Sequence, residues 1–576
     1  MSVAGRARRY VALLIVSLAV LASGSARVST GQAAPGARRM SFGNRVLLNR
    51  AVLTRLRTLE VLVLAGGADP RGFAGRVNEI TALVTGLGGH VARTEEAIGY
   101  LRVDVPTERL LELADSPAID AYQITSLSKG AWYRDAPPPS NAEMFRGFEV
   151  TPIAATEPAL THADLPPLSP AEARAPGFTA DDVGVGRWLE EHPTYDGRGA
   201  TIALIESAIP SFTDATIRQA KTLDGRDVAK IAGIVNTIRP AVPDESRVYL
   251  GTTVEADTSW TRVGARTYVL PHPGHYRFGT LDVPGGGNVI QRFAVVEDQS
   301  THDVWIDANG DASFQDETAL ADVNERFDPR VLKLAHPRNA EVSFVMARGR
   351  EPHLVHFYPG KGSHQSMTLS VAAGSRTDDG LAHGVAPNAR VLLVRVSSGS
   401  ETSPASVFEG FIAAAQRPEV DVISSSSGLV AMPDTATDFG GALMRRLVSV
   451  YQKPIVISAA NTSQMLASVH AFGSVLSVGG VLSPATYNTL YGGRALDRLI
   501  VHPFGAAGPS IDGAIKPDVL APMERLAADL PWNTGIDAAP RNAPTRRIPP
   551  GYQVSCCTSA TAPYAAGVVG LLVSAA

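Results

Sequence analysis

The sequence predicts an α/β protein: a parallel sheet flanked by helices, preceded by a small α+β unit and interrupted by a β-rich insertion. Three observations carry that prediction. From residue 364 onward, short apolar runs at 391–396, 420–424 and 455–459 alternate with a helical period at 407–415, as βα units do. Residues 60–125 read as βαββαβ. Between about 245 and 358, short alternating segments such as 266–270 and 341–345 follow one another, a strand-rich pattern. With 576 residues, 45% hydrophobic and 19% charged, the chain is globular and larger than one comfortable domain. A formal charge of −4 gives no basic excess and argues against nucleic acid as a partner. Two cysteines exclude a disulfide framework and a cysteine-based zinc site.

In chain order, Arg6, Arg8 and Arg9 precede an apolar run over 10–22 and the small residues Ser23-Gly24-Ser25-Ala26. That is the layout of a secretory signal peptide over 1–26, its run shorter than the ~20 residues of a membrane span. The mature protein is therefore expected outside the cytoplasm and free of the membrane. Residues 27–59 are a lead-in, small and polar over 27–43. Val61-Leu62-Val63-Leu64 reads as a buried strand closed by Gly66-Gly67, and Val77, Ile80, Leu83, Val84 and Leu87 keep helical spacing. Leu101, Val103 and Val105 alternate with Arg102 and Asp104, Thr107 can cap a helix carrying Leu110, Leu111 and Leu113, and 119–124 is a last strand. This order is of ferredoxin type. Prolines crowd 126–180, which reads as a protease-accessible linker. Residues 183–576 then form the main domain, with the insertion at about 245–358.

Four segments of the main domain place polar residues at strand ends or helix starts, where α/β sheets keep their sites. Glu206 ends the apolar run 201–205, His364 opens the stretch 367–373, Asn461 follows 456–460, and Ser559 precedes 564–572. A serine at a helix N-terminus gains from the dipole and free N–H groups, which suit a developing oxyanion. A histidine can take its proton, and a carboxylate can hold that histidine in the right tautomer. Taken singly, each has a plainer reading: Ser559 an N-cap, His364 a hydrogen-bonded histidine, Glu206 a strand-end charge, Asn461 a turn residue.

Together the segments resemble the subtilisin-like serine proteases, the peptidase S8 or subtilase family. Gly384-Val385-Ala386-Pro387-Asn388-Ala389 resembles the family's segment after the histidine helix, and Asp421 through Gly428 its substrate-binding strand. Ser477-Val478-Gly479-Gly480 and the run from Gly508 to Pro522 match most closely. The insertion is placed as in tripeptidyl-peptidase-II-like members. The resemblance implies a subtilisin-like parallel sheet with Ser559 as nucleophile, His364 as general base, Glu206 in place of the usual aspartate, and Asn461 as oxyanion donor. It implies that Ser426, Ser427 and Gly428 pair with an extended polypeptide substrate. It also implies that 60–125 is an inhibitory propeptide and that no cofactor is required. A secreted serine endopeptidase made as a zymogen is thus expected. A catalytically silent, peptide- or partner-binding relative is the alternative.

Several positions depart from the family pattern. Glu206 adds a methylene to the acid. Cys557 replaces the glycine before the Thr558-Ser559 pair, a position where glycine usually answers a demand of φ or close approach. Ala560 and Tyr564 replace the usual methionine and histidine. Adjacent Cα atoms lie ~3.8 Å apart, below the usual disulfide span, which predicts two free thiols at Cys556 and Cys557. In the insertion, Asp307, Asn309 and Asp311 set oxygen ligands at alternate positions, the opening of a structural Ca²⁺ loop. Thr318 stands where a bidentate glutamate would close it, with Asp316 and Glu317 just before; a polar turn is the plainer reading.

Overall fold

The computed structural model describes residues 40–67, 69–126, 165–179, 183–240, 242–284, 290–334, 340–398, 403–426, 439–461, 473–491, 497–509, 514–531 and 546–576. The export segment 1–26, residues 127–164 of the linker, and Ser427 and Gly428 lie outside the described residues.

The main domain is built on an eight-stranded sheet. Strands Leu476–Leu482, Ile455–Ser458, Val422–Ser425, Thr201–Glu206, Arg390–Arg395 and Ile231–Asn236 lie side by side and parallel. Ile500–Val501 joins one edge antiparallel, and Val519–Pro522 pairs parallel with Leu476–Leu482. The expected parallel sheet is therefore mixed. All six residues of Thr201–Glu206 are buried because helices cover both faces. Ile202 and Leu204 pack with Met367 and Val371 of helix Ser363–Ala373 and with Ala562 and Ala566 of helix Thr558–Ala575. Ala203 and Ile205, turned the other way by the strand's period of two, pack with Phe408 and Phe411 of helix Pro404–Gln416 and Leu443 of helix Phe439–Tyr451. By length and composition Thr558–Ala575 could cross a membrane; here it is the central core helix. It meets the histidine helix closely at Gly567, where a Cβ would stand 2.7 Å from the Ala372 carbonyl oxygen.

The insertion holds two four-stranded antiparallel sheets. One is formed by Thr252–Ala256, Gly274–Pro284, Ile290–Asp298 and Val304–Ile306, the other by Arg330–Leu334, Ala340–Arg348, Leu354–Pro359 and Arg247–Tyr249. Leu281, Phe293, Phe344 and Phe357 fill the core they share.

Ahead of the main domain, β1 (Thr58–Ala65), β2 (His90–Glu95), β3 (Tyr100–Pro106) and β4 (Ile119–Ser126) pair antiparallel in the order β2-β3-β1-β4. Val61, Val63 and Val103 face helix Phe73–Gly86 through Val77, Ile80 and Val84. Leu62, Leu64 and Tyr100 face the other way and share a core with Phe408, Phe411 and Phe439. The unit thus docks its sheet on two helices of the main domain. At the centre of that contact lies Glu409, 4% exposed. Its carboxylate accepts from Tyr100 Oη at 2.9 Å, Arg102 Nε at 2.8 Å and Arg93 Nη1 at 2.9 Å. Arg446 adds bonds to the carbonyl oxygens of Ile98 and Ala65 and to Asp120.

Three local expectations need correction. The end of the lead-in is a helix, Phe42–Leu53, N-capped by Ser41 and packed on the small unit through buried Leu47 and Ala51. Its Asn44 side chain bonds the backbone of Tyr122 and Ile124, which anchors it. The end of the linker is docked: Ser169 and Glu172 form a capping box with Pro170 at the first turn, and Leu168, Ala173 and Phe178 are buried against Leu490 and Tyr552. Proline breaks helices but starts them well. Thr107 caps nothing; its hydroxyl donates to the Leu56 carbonyl at 2.5 Å, and a 3₁₀ turn precedes the short helix Leu110–Ala114.

Candidate active site

Glu206 ends the central strand and His364 is the second residue of helix Ser363–Ala373. The two meet: His364 Nδ1 stands 3.2 Å from Glu206 Oε2, with the carboxylate 3% and the ring 41% exposed. Burial alone would lower the imidazole pKa, but the charge and hydrogen bond of Glu206 outweigh it and raise it above its ordinary value. A buried carboxylate needs donors on its lone pairs. Gln365, the next residue on the helix, supplies one: its Nε2 lies 3.3 Å from the same Oε2 and 3.1 Å from Ser207 Oγ. Nothing local announces this role, since a glutamine after a histidine points to no distant partner. Asp214, the other acid near this strand, is occupied elsewhere. Its Oδ1 accepts from the Thr216 N–H at 2.7 Å and hydroxyl at 2.9 Å.

Ser559 is the second residue of helix Thr558–Ala575, half-buried, and its carbonyl oxygen accepts from Ser426 Oγ at 2.8 Å. Helices Ser363–Ala373 and Thr558–Ala575 pack together through Ala372 and Gly567, which puts the starts of both on one side of the sheet. Among the described residues, no hydrogen bond joins Ser559 Oγ to the His364 ring. Asn461 follows Ala460, whose φ is +79°. Its Oδ1 accepts from both the N–H and the hydroxyl of Thr558, each at 2.8 Å. With the carbonyl end held, the amide keeps its Nδ2 donor hydrogens for another partner. Thr558 is a second residue whose role the sequence did not reveal.

Cys557 caps this helix with φ +69° and ψ 169°, left-handed backbone that glycine adopts freely and a side chain resists. That accounts for glycine being usual at this position. The expected free thiols are corrected: Cys556 and Cys557 are joined as a disulfide, Cα to Cα 3.7 Å.

The loop at Asp307 lies apart from these residues. Asp307 is buried, Asn309 and Asp311 are exposed. Burial raises the Asp307 and Glu317 carboxyls above the ordinary range, and neighbouring carboxylates add to it.

Comparison with known proteins assigns the domain. Residues 300–576 match the model of the subtilase family, peptidase S8. Pyrolysin of Pyrococcus furiosus is 25% identical over 462 residues, covering 69% of this chain and 31% of that protein. Tripeptidyl-peptidase 2 of Caenorhabditis elegans is 27% identical over 221 residues (37% of this chain, 15% of that protein). The Oryza sativa subsp. japonica protein of that name is 23% identical over 475 residues (68% and 33%). The chain thus spans a third or less of the length of these relatives. Among solved structures, tripeptidyl peptidase 2 aligns with a TM-score of 0.47 at 17% identity, over 68% of this chain and 34% of that one. The epidermin leader peptide processing protease of Staphylococcus aureus aligns with a TM-score of 0.41 at 11% identity, over 90% and 88%. Residues 300–576 thus carry the subtilase, peptidase S8, match, and they share one sheet with strands Thr201–Glu206 and Ile231–Asn236.

Proposed function

We propose that the chain is a secreted serine endopeptidase, made as a zymogen, that cleaves polypeptides through Ser559, His364 and Glu206. The observation that carries the reading is the 3.2 Å contact between a buried carboxylate and the His364 ring. In this mechanism Ser559 Oγ attacks the scissile carbonyl and gives its proton to His364, whose imidazolium is stabilised by Glu206. The oxyanion is met by Asn461 Nδ2 and backbone N–H groups at the helix start; one such amide donor is worth ~10²–10³ in rate. His364 then protonates the leaving amine, and water releases the acyl group from Ser559 by the same route in reverse. Ser426 to Gly428 would pair with the substrate backbone as an added strand.

Export is read from the 1–26 segment. Latency is read from the small unit, whose sheet is clasped to the main domain at Glu409. Cleavage within 126–180 would then begin maturation. The reading is tested by a fluorophosphonate probe, which should label the mature chain covalently and leave Ser559→Ala unlabelled. A folded chain that takes no label, or labels equally with Ser559→Ala, sinks it and leaves peptide binding without turnover.

A further inference from the structure

The calcium expectation falls on a loop with a buried carboxylate at its start. Asp307 is 1% exposed: Oδ2 accepts from the Ala312 N–H at 3.0 Å and the Gly310 N–H also faces the carboxylate, while Oδ1 is buried without a well-formed hydrogen bond. A bare carboxylate oxygen out of water is costly unless something charged comes to it. Arg266, the nearby cation, donates instead to the Gly310 carbonyl at 2.6 Å and stays 3.9 Å from Oδ2. The rest of the loop gathers around the Asn309 and Asp311 side chains, whose Oδ1 atoms accept from the Asp311 N–H at 3.0 Å and the Ser313 N–H at 2.8 Å. Asn309 Nδ2 bridges Asp311 Oδ2 at 3.1 Å and Asp316 Oδ2 at 2.9 Å, an amide donor held between two carboxylates. Glu317 reaches back to the Ala308 N–H at 2.8 Å. The backbone is left-handed at Gly310 (φ +79°) and Ala312 (φ +70°), curling the chain around this point. Asp316 and Glu317 thus fold toward the loop two places and one place before Thr318, the position where the missing glutamate was sought.

We propose that residues 307–317 bind one Ca²⁺, with Asp307 Oδ1, Asn309 and Asp311 as side-chain ligands and Asp316 and Glu317 closing the shell. Among the described residues no three acidic, histidine or cysteine side chains stand ready as a metal cage. The ion would draw Asn309 round to offer its oxygen, and carbonyls of the loop complete the set. Calcium fits because it accepts six to eight oxygens in flexible geometry at about 2.3–2.6 Å; Mg²⁺ demands a tight octahedron. The consequence is mechanical. Ala312 O accepts from the Val269 N–H at 2.9 Å, the Phe314 N–H bonds Val269 O at 2.8 Å, and Ala308 O accepts from the Lys333 N–H at 3.1 Å. An ion that fixes the loop therefore fixes the hairpin strand Arg266–Val269 against strand Arg330–Leu334.

The test uses the full chain carrying Ser559→Ala, so that self-cleavage plays no part, and Tb³⁺ as a probe. Trp305, two residues before Asp307, is the built-in sensitiser. Expected is Trp-sensitised Tb³⁺ emission saturating at one site, displaced by Ca²⁺ and not by equal Mg²⁺, with Ca²⁺ raising the melting temperature. Asp311→Ala, an exposed change that leaves the fold intact by circular dichroism, should weaken Ca²⁺ at least tenfold, as should Asp307→Asn. No sensitised emission at millimolar ion, or an affinity unaltered in Asp311→Ala, overturns the proposal. Neither readout depends on peptidase activity.

Discussion

His364 and Glu206 are joined by a 3.2 Å contact across the end of the central strand, and it raises the imidazole pKa against the opposing effect of burial. If this pair serves Ser559, Glu206→Gln should lower kcat by up to ~10⁴, because the amide favours the wrong tautomer. Glu206→Asp should retain activity. The pH profile gives a second check. A base must be neutral to accept a proton, so activity falls as pH drops through the His364 pKa. With the Glu206 charge removed, burial prevails and that pKa falls. The acid limb of kcat/KM in Glu206→Gln should therefore move to lower pH; a limb that does not move rules out the pairing.

Cys557 sits at a strained start of the Ser559 helix. At φ +69° and ψ 169° an L-residue is disfavoured by roughly 1–3 kcal/mol relative to glycine. Both Cys557→Gly and Cys557→Ala lose the disulfide, so comparing them isolates the backbone. Urea denaturation should find Cys557→Gly more stable than Cys557→Ala by about 1 kcal/mol. Equal stability would mean the helix start relaxes to another conformation.

Glu409 receives three donors from the small unit. Glu409→Ala would leave Arg93, Arg102 and the fully buried Tyr100 hydroxyl facing an empty site. Breaking a buried ionic cluster from one side costs about 3–5 kcal/mol. In a Ser559→Ala chain, Glu409→Ala should make the small unit far more sensitive to added trypsin. Digestion at the parent rate would show that apolar packing alone holds the unit.

Asp214 gives a stability signature. Burial raises its carboxyl pKa to about 7, the Thr216 hydrogen bonds opposing and Asp529 adding. The folded protein holds this proton to higher pH than the unfolded chain, which releases it near 4. Its contribution to stability is therefore intact below pH 4 and lost progressively as pH rises toward 7, by as much as ~4 kcal/mol. Asp214→Asn can keep the Thr216 bonds and removes the titration. It should match the parent at pH 4 and exceed it at pH 8; parallel stability curves from pH 4 to 8 would contradict the shift.

Legibility followed the range of the forces involved. Glu206 could be read because it is the only acid on an apolar strand, and Cys557 because it sits where a glycine was expected. The insertion's strands and the order of the small unit follow from period-two and helical patterns, which are local. Gln365 and Thr558 could not be read, since their partners are set by packing of distant segments. Glu409, a charge inside the apolar helix of 407–415, went unread. Its three donors lie some three hundred residues earlier, and only the docked sheet reveals them. Helix Phe42–Leu53 and the docked turn at Ser169 were missed because composition there mimics a linker.

The anchoring of both ends of the 127–164 segment has a kinetic consequence. Before any cut, β4 on one side and the Ser169 turn on the other tie the two halves of the clasp into one molecule. The small unit then meets its docking face at an effective concentration of millimolar order, and each spontaneous opening recloses. A single cut between Ser126 and Leu165 breaks no contact at Glu409, yet it changes the molecularity of reclosing. After the cut, the same set of bonds holds or releases according to dilution. A crowded compartment would keep the halves together, and release into a large volume would separate them.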